Sequence, residues 1–501
     1  MKNNAFLNKF KYKDKKRLQK YFNELDKIIH LNKKDKAKLV NDYENYILYC
    51  VSQNENIKSI LERIAINKKD GKNKNSYEWF SLDNSSKIYP LSMKEDWMSI
   101  YRLSFYLKEN VCKVVLQMAL NNTIMRFPVF RTSIHKGFFW NYLDVIDKRF
   151  EVIEEKNIPC SSINIAKHKT QAFRLIYYKR RISCEFFHVL SDADGGMVFL
   201  TTLVNEYLRL LGREVDYNKY ALNVYNDINK EEIEDAFLKQ QTKTKQGGLI
   251  EKKALQIDGK LSLVRPCQII HFDLDLEKIH CLAREKDVTI NELLLTFLFV
   301  VLSYSTSKEG DIKIQVPVNM RKFYPSRTLR NFSLYNTISL SKKEIKNFDE
   351  VIKLVKEESR KKLNKGSLDG VMYHAIKLVK SISVIPLFVK RPITKFIYRY
   401  FGDKGSTTVL SNLGKIELPL KMIKYVEKAD FVLGTTLANR LLFSVVTINN
   451  IVTLTISKFT TNTSVENNLY SLLKEYDLIV QVHGSDKYEI RKWLSCNLPK
   501  N

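Results

Sequence analysis

The chain has 501 residues and a net charge of +28, from 83 Lys and Arg against 55 Asp and Glu. This length predicts two or three domains, and the 44% of hydrophobic residues excludes a mostly disordered chain. No apolar run is long enough to cross a bilayer, the first 25 residues contain no apolar signal segment, and the seven cysteines never form CxxC. We therefore expect a cytoplasmic protein with reduced thiols.

The strongly basic charge has a plain explanation. Lys, Asn and Ile are abundant along the whole chain, as a coding bias toward AT-rich codons would produce. The functional alternatives are attraction to an anionic membrane, to nucleic acid or to a phosphorylated substrate. No basic-aromatic module typical of nucleic-acid binding is present, so we expect no nucleic-acid partner.

Residues 1–75 are predicted to form a small all-helical domain and a linker. Three stretches, around Leu18–Ile29, Leu39–Ile47 and Ile57–Ile64, place apolar residues at helical spacing. With its acidic Asp42-Tyr43-Glu44 segment, this region resembles the helical domain of bacterial HAAS-type signalling proteins. A generic three-helix bundle explains the pattern equally well. A protein partner could bind through this domain, and the polar run 67–75 predicts the linker.

Residues 76–225 and 263–501 are predicted to be two α/β lobes, joined by a polar linker over 226–262. The predicted elements of the first lobe are a strand at 101–107, a helix at 111–125, hairpins at 130–145 and 173–188, and a helix at 197–211. Those of the second lobe begin with a strand at 267–274, helices at 276–286 and 289–304, and a strand at 313–318. The helix at 289–304 begins with a capping-box pattern, Thr289 to Glu292.

The segment 185–196, EFFHVLSDADGG, is the strongest candidate site. The motifs GxSxG, GxxxxGK[ST], HExxH and GxGxxG are absent, and no histidine has metal-ligand spacing, so we expect no metal. In this segment a strand ends at His188, and an acidic turn with Asp192 leads to Gly195 and an apolar helix. A histidine at a strand end can accept a proton from a hydroxyl or an amine.

A second HxxxD pattern, His271 and Asp275, shows that the motif alone is common. This pair lies within an alternating strand, and no glycine turn follows it. We interpret it as structural.

The motif at His188 and Asp192 does not stand alone. Further matching segments are 126–131 (RFPVFR), 138–140 (FFW), 316–321 (VPVNMR), 325–332 (PSRTLRNF) and 410–414 (LSNLG). Together they resemble the CoA-dependent acyltransferase superfamily, which includes chloramphenicol acetyltransferase, condensation domains and the bacterial alcohol acetyltransferase-like branch. The resemblance covers residues 77–485 and implies two chloramphenicol-acetyltransferase-like lobes with mixed sheets and an active-site channel between them.

The resemblance also implies roles for particular residues. His188 would be the general base that deprotonates the acceptor, with an acyl-CoA as co-substrate and no permanently bound cofactor. Asp192 would be structural and ion-paired, with Arg321 as its expected partner and Gly195 supporting the turn. Ser411 and Asn412 would either donate hydrogen bonds to the oxyanion or merely close a tight turn.

Two positions depart from the family pattern. Phe187 stands where condensation domains have a first histidine, and Ala193 replaces the usual glycine after Asp192. Loss of that glycine could restrict the turn. Asp194 adds a second carboxylate beside it.

The stretch 371–402 contains no acidic residue. Its six cations, which alternate with apolar residues, are Lys377, Lys380, Lys390, Arg391, Lys395 and Arg399. Such a surface could contact an anionic membrane or attract the phosphates of CoA, or it could be an ordinary solvated helix pair. Pro386 and Pro392 argue against one long helix.

The sequence thus favours an alcohol O-acetyltransferase-like enzyme that moves an acyl group from CoA to a small alcohol or amine. Two alternatives stay open. One is a condensation-like protein that uses a carrier-bound thioester, and the other is a catalytically silent binding or regulatory protein at a membrane-associated partner.

Overall fold

The computed structural model describes residues 4–65, 77–92, 98–165, 169–240, 253–401, 405–434 and 439–485. The helices are α1 Asn4–Leu7, α2 Tyr12–Ile28, α3 Lys33–Ser52, α4 Ile57–Arg63, α5 Tyr89–Ser92, α6 Lys113–Arg126, α7 Ala193–Leu210, α8 Leu276–Glu285, α9 Ile290–Tyr304, α10 Phe348–Lys362, α11 Lys365–Ser381, α12 Leu387–Phe401, α13 Leu420–Ile423 and α14 Ser464–Glu475. The strands are β1 Trp79–Ser81, β2 Ile100–Leu107, β3 Thr132–Lys136, β4 Asn141–Val145, β5 Val152–Glu154, β6 Phe173–Tyr178, β7 Arg181–Phe187, β8 Gln268–Asp275, β9 Asp311–Asn319, β10 Ser333–Ser341, β11 Thr408–Lys415, β12 Val426–Leu433, β13 Leu441–Ile448, β14 Ile451–Lys458 and β15 Ile479–Gly484. The mixed α/β class predicted from the sequence is confirmed.

The first lobe is built on a five-stranded sheet in the order β12-β2-β7-β6-β5. Its apolar side chains form one core with α6 and α7, in which the rings of Phe130 and Phe199 stack with their centroids 4.8 Å apart. A second sheet, β1-β4-β3, contains the predicted hairpin at 130–145. Strand β7 lies in the middle of the larger sheet, so its end, where His188 follows, is held on both sides.

The second lobe contains a seven-stranded sheet in the order β10-β9-β11-β13-β14-β8-β15. Helix α9 is buried against it because its side chains are apolar all round, and the predicted capping box of Thr289 and Glu292 is present. Strand β13 is buried at every residue. This lobe therefore has its own hydrophobic core.

One strand of the second half of the chain belongs to the first lobe. Strand β12 pairs antiparallel with β2, with Phe431 opposite Leu103, and forms the edge of the five-stranded sheet. The boundary expected at 226–262 thus does not separate the two sheets completely. The chain passes from the second lobe to the first and returns.

The predicted helices of the N-terminal segment are present as α2, α3 and α4, and they share a core with the first lobe. Leu18 and Ile60 belong to the same cluster of buried residues as the first-lobe sheet. Tyr46 donates a hydrogen bond from its hydroxyl to the Leu210 carbonyl at 2.7 Å. The segment is therefore docked on the lobe along its apolar face, and the predicted linker at 67–75 lies outside the described residues.

The described part of the predicted inter-lobe linker also packs against the lobes. Phe237 is buried against Phe332, with ring centroids 5.0 Å apart, and the Leu329 amide donates to the Glu232 carbonyl at 2.8 Å. Residues 241–252, in the middle of the linker, lie outside the described residues. The polar composition predicted a linker between the lobes. Residues 230–239 instead pack against the second lobe through a few apolar side chains.

Within the acid-free stretch, residues 371–381 belong to α11 and residues 387–401 form α12, and a turn at 382–386 separates the two helices. Pro386 lies in this turn, as expected, whereas Pro392 lies inside α12. Within the described residues no single helix is long and apolar enough to cross a bilayer. The pair α8 and α9 reaches that length and composition only together, and it is bent by 86°.

Candidate active site

His188 follows directly on β7 and precedes the first turn of α7. Its backbone amide continues the sheet pairing by donating to the Ser99 carbonyl at 2.9 Å. Four residues later, the side chain of Asp192 caps α7 by accepting from the Gly195 amide at 3.1 Å. This cap explains why α7 begins at Ala193 and not at Met197, where the apolar periodicity placed its start.

The carboxylate of Asp192 joins the two halves of the chain. Arg321 lies 2.8 Å from Asp192 Oδ2, and the Phe332 amide donates to the same oxygen at 2.8 Å. The ion pair expected from the sequence is therefore present. Arg321 also donates hydrogen bonds to the carbonyls of Thr328 and Arg330. The guanidinium thus binds both the Asp192 carboxylate and the backbone of the segment 328–330. Asp192 is 4% exposed, which suits a structural role better than contact with substrate.

Glycine at position 195 is required by close packing. A Cβ at Gly195 would overlap the Leu329 carbonyl oxygen and the Ser191 hydroxyl. Ala193, by contrast, is the first residue of α7 and has ordinary helical geometry. The departure from the family pattern at position 193 therefore places no strain on the turn. Burial raises the pKa of Asp194, against the opposing effect of the nearby Arg321 guanidinium.

The imidazole of His188 is oriented by a chain of two hydrogen bonds. His188 Nδ1 lies 2.8 Å from Asn331 Oδ1, and Asn331 Nδ2 donates to Asp83 Oδ2 at 3.1 Å. A carboxylate only accepts hydrogen bonds, so Asp83 fixes which end of the Asn331 amide faces the histidine. The amide oxygen must then accept a proton from Nδ1, which leaves Nε2 as the unprotonated nitrogen of the neutral ring.

Asp83 is itself held firmly. It is fully buried, accepts from the Ser86 amide at 2.7 Å, and lies 3.7 Å from the guanidinium of Arg330. Burial, assisted by the Asp83 charge, raises the pKa of the neighbouring Asp235 to about 6. The site thus has a buried carboxylate whose charge is balanced by one arginine.

Two tyrosine rings enclose the imidazole. Tyr89 stacks on His188 with ring centroids 4.6 Å apart, and Tyr101 meets it edge-on at 5.3 Å. The Tyr101 hydroxyl donates to the Asp192 carbonyl at 2.8 Å. Burial lowers the pKa of His188, against the smaller opposing effects of Asp192 and of the Asn331 hydrogen bond. The ring is therefore neutral at physiological pH, the form that a general base requires.

Ser411 and Asn412 lie on β11, in the sheet of the second lobe. Asn412 accepts from the Gly414 amide at 2.8 Å and donates to Asn291 at 3.2 Å. Asn412 and Gly414 both lie within β11, where the pairing with β13 shifts its register between Asn412 and Lys415 and Gly414 has a φ of +70°, so these contacts belong to an irregularity of the strand and not to a tight turn. The oxyanion role of Ser411 and Asn412 stays a prediction.

The second HxxxD pair lies apart from this site. His271 is buried between Thr455 and the ring of His483, and burial lowers its pKa to about 4. Asp275 caps α8 by accepting from the Glu277 amide. Among the described residues, no group of three or more His, Cys, Asp or Glu side chains could hold a metal ion.

Sequence reasoning missed Asp83, Tyr89 and the role of Asn331. Asn331 lies in the quoted segment 325–332, but it is 143 positions from His188, and Asp83 is 248 positions from Asn331. The segment 81–86 reads as a polar turn with no catalytic signal. Only the fold brings these side chains together.

The chain resembles known proteins in structure, but the sequence comparisons found no match. No protein-family model matches the chain. No curated protein matches it either. Solved structures do match. The trichothecene 15-O-acetyltransferase from Fusarium sporotrichioides aligns with a TM-score of 0.55 and 11% identity, over 80% of this chain and 97% of that one. The chain has the fold of CoA-dependent acyltransferases and condensation domains.

Two further structures support this assignment of the fold. TRI101 from Fusarium sporotrichioides, solved with coenzyme A and T-2, aligns with a TM-score of 0.54 and 11% identity, over 80% of this chain and 98% of that one. The starter condensation domain of rhizomide synthetase aligns with a TM-score of 0.52 and 11% identity, over 80% and 94%. The superfamily resemblance seen in the sequence is thus confirmed at the level of the fold.

Proposed function

We propose that the protein is an acyl-CoA-dependent acyltransferase in which His188 is the general base. The observation that carries the proposal is the series of hydrogen bonds from His188 through Asn331 to Asp83. It holds the proton of the neutral imidazole on Nδ1, so that Nε2 can accept a proton. The acceptor would be a small alcohol or amine. Its oxygen or nitrogen would lose a proton to Nε2 while attacking the thioester carbonyl, and the CoA thiolate would leave and take up a proton.

Three features support this chemistry. Burial lowers the pKa of His188, so the base is in its active form. Asp192 and Arg321 neutralise each other at 2.8 Å, which keeps the adjacent turn rigid without placing a free charge beside the ring. Structural neighbours of the fold include one protein solved with coenzyme A and one solved with an acyl-CoA.

The test is release of free CoA from short-chain acyl-CoAs in the presence of a panel of alcohols and amines. His188→Ala should reduce the rate by about 10²–10⁴-fold, the range for loss of a general base. His271→Asn is the matched control, since His271 belongs to the other HxxxD pair, and it should retain the wild-type rate. Thermal unfolding of both variants shows whether they are folded.

Two results would contradict the proposal. Equal rates for His188→Ala and the wild type would remove the histidine from the chemistry. Inert CoA thioesters together with transfer from an acylated carrier protein would replace the CoA donor by a carrier-bound donor. The protein would then be a condensation-like protein that takes its acyl group from a carrier-bound thioester.

A further inference from the structure

Three segments meet on one side of the molecule and expose apolar side chains together. They are the β3–β4 turn at 137–140, the α11–α12 turn at 382–386, and the beginning of α12. The Leu387 amide donates to the Phe138 carbonyl at 2.8 Å, and Lys390 Nζ lies 3.3 Å from the centre of the Trp140 ring. These contacts hold the segments side by side as one surface.

This surface, the apolar face, consists of Phe138, Phe139, Val384 and Phe388. Phe138 is 66% exposed, Val384 76% and Phe388 73%. Single exposed apolar residues are ordinary, but a contiguous group marks an interaction surface. The rings project from turns and from a helix start, so the face protrudes and does not form a pocket for a small molecule.

Positive charge surrounds the apolar face without any opposing carboxylate in the same segments. Lys136, Lys377 and Lys380 are exposed. Neither 133–143 nor 371–402 contains an Asp or Glu. A second copy of the chain would bring like charges together across such a face, which disfavours self-association. Protruding aromatic rings with flanking lysines instead suit an anionic bilayer, which takes up the rings and attracts the charges.

We propose that the apolar face docks the protein on an anionic lipid membrane. The inference does not rest on the proposed function, because it uses none of the candidate catalytic residues. It has a consequence for the site, however. Helix α12 packs against α5, and Tyr89 of α5 stacks on His188. Docking would bring the α5 side of the site toward the bilayer.

The experiment measures partition of the full-length protein onto phosphatidylcholine vesicles with and without phosphatidylglycerol. Binding should require phosphatidylglycerol and weaken with added salt. Phe388→Ser should reduce the partition coefficient about tenfold or more. Lys380→Glu should reduce it roughly fivefold per unit of charge changed. The controls are Leu263→Ser, at an exposed apolar residue outside the apolar face, and Lys58→Glu, at an exposed lysine of α4, and both should bind like the wild type.

Four outcomes would overturn the proposal. The first is equal or absent binding on the two vesicle types, and the second is an equal loss in the control variants. The third is a dimer in solution without vesicles that Phe388→Ser dissociates, since the occupant would then be a second copy. The fourth is an increased KM for acyl-CoA in Lys380→Glu with unchanged vesicle binding, which would assign the charges to the substrate phosphates.

Discussion

Replacement of Asn331 by alanine tests the orientation of the candidate base. The change removes the acceptor of the Nδ1 proton of His188, which lies 2.8 Å from Asn331 Oδ1. With a neutral imidazole this bond contributes about 1 kcal/mol, and with the imidazolium of the transition state about 1.5–3 kcal/mol. The difference of about 0.5–2 kcal/mol predicts a kcat lower by about 2–30-fold.

The same substitution should move the pH profile. The Asn331 bond raises the pKa of His188, in opposition to the larger effect of burial, so its loss lets that pKa fall further. Because the base acts unprotonated, the acidic limb of kcat/KM should move to lower pH in Asn331→Ala. CoA release measured across the pH range gives both quantities.

Asn336→Ala is the matched control for this prediction. Asn336 is also a buried amide, and it donates to the Lys362 carbonyl at 2.8 Å and to Ser367 at 3.0 Å. Its replacement should lower stability by about 1–3 kcal/mol, as in Asn331→Ala, while kcat and the acidic limb stay unchanged. An unchanged kcat in Asn331→Ala, or an acidic limb displaced to higher pH, would refute the reasoning.

Three other predictions concern stability. Arg321→Met leaves the buried Asp192 carboxylate without its partner and should lower the free energy of unfolding by about 3–5 kcal/mol in urea. Gly195→Ala should lower the free energy of unfolding by about 1–3 kcal/mol through steric overlap. In Gly366→Ala the new Cβ would lie 3.4 Å from its nearest neighbour, Asn364 Oδ1, so this variant should stabilise α11 by about 0.5 kcal/mol. Burial lowers the pKa of Lys390 to about 8, below its value of about 10.4 in the unfolded chain. The unfolded chain therefore binds more protons between about pH 8 and pH 10, and stability should rise with pH there more steeply in the wild type than in Lys390→Met. Equal slopes in the two proteins would contradict this last prediction.

Elements that depend on near neighbours could be predicted from the sequence. The hairpin predicted at 173–188 is present as β6 and β7, and the predicted capping box of Thr289 and Glu292 begins α9. Both are local, since their contacts join residues a few positions apart. The start of α7 is predicted too late because its first turn, which Asp192 caps, contains few apolar residues and so gives no hydrophobic periodicity.

Features that depend on distant contacts could not be predicted in this way. The pairing of β12 with β2 and the link from Asp83 to Asn331 join residues hundreds of positions apart, and each needs the complete fold. The Asp192–Arg321 pair was anticipated only through resemblance to a family. Composition also gave a wrong prediction for residues 230–239, because burial of Phe237 in the second lobe holds this otherwise polar segment in place.

The exchange of β12 between lobes has a consequence for how the chain can be divided. A fragment that stopped after the first lobe would lack this strand and would present the backbone donors and acceptors of β2 to solvent. Such an open sheet margin readily recruits strands from other molecules, which leads to aggregation. The first lobe therefore needs a strand from the second half of the chain to complete its sheet.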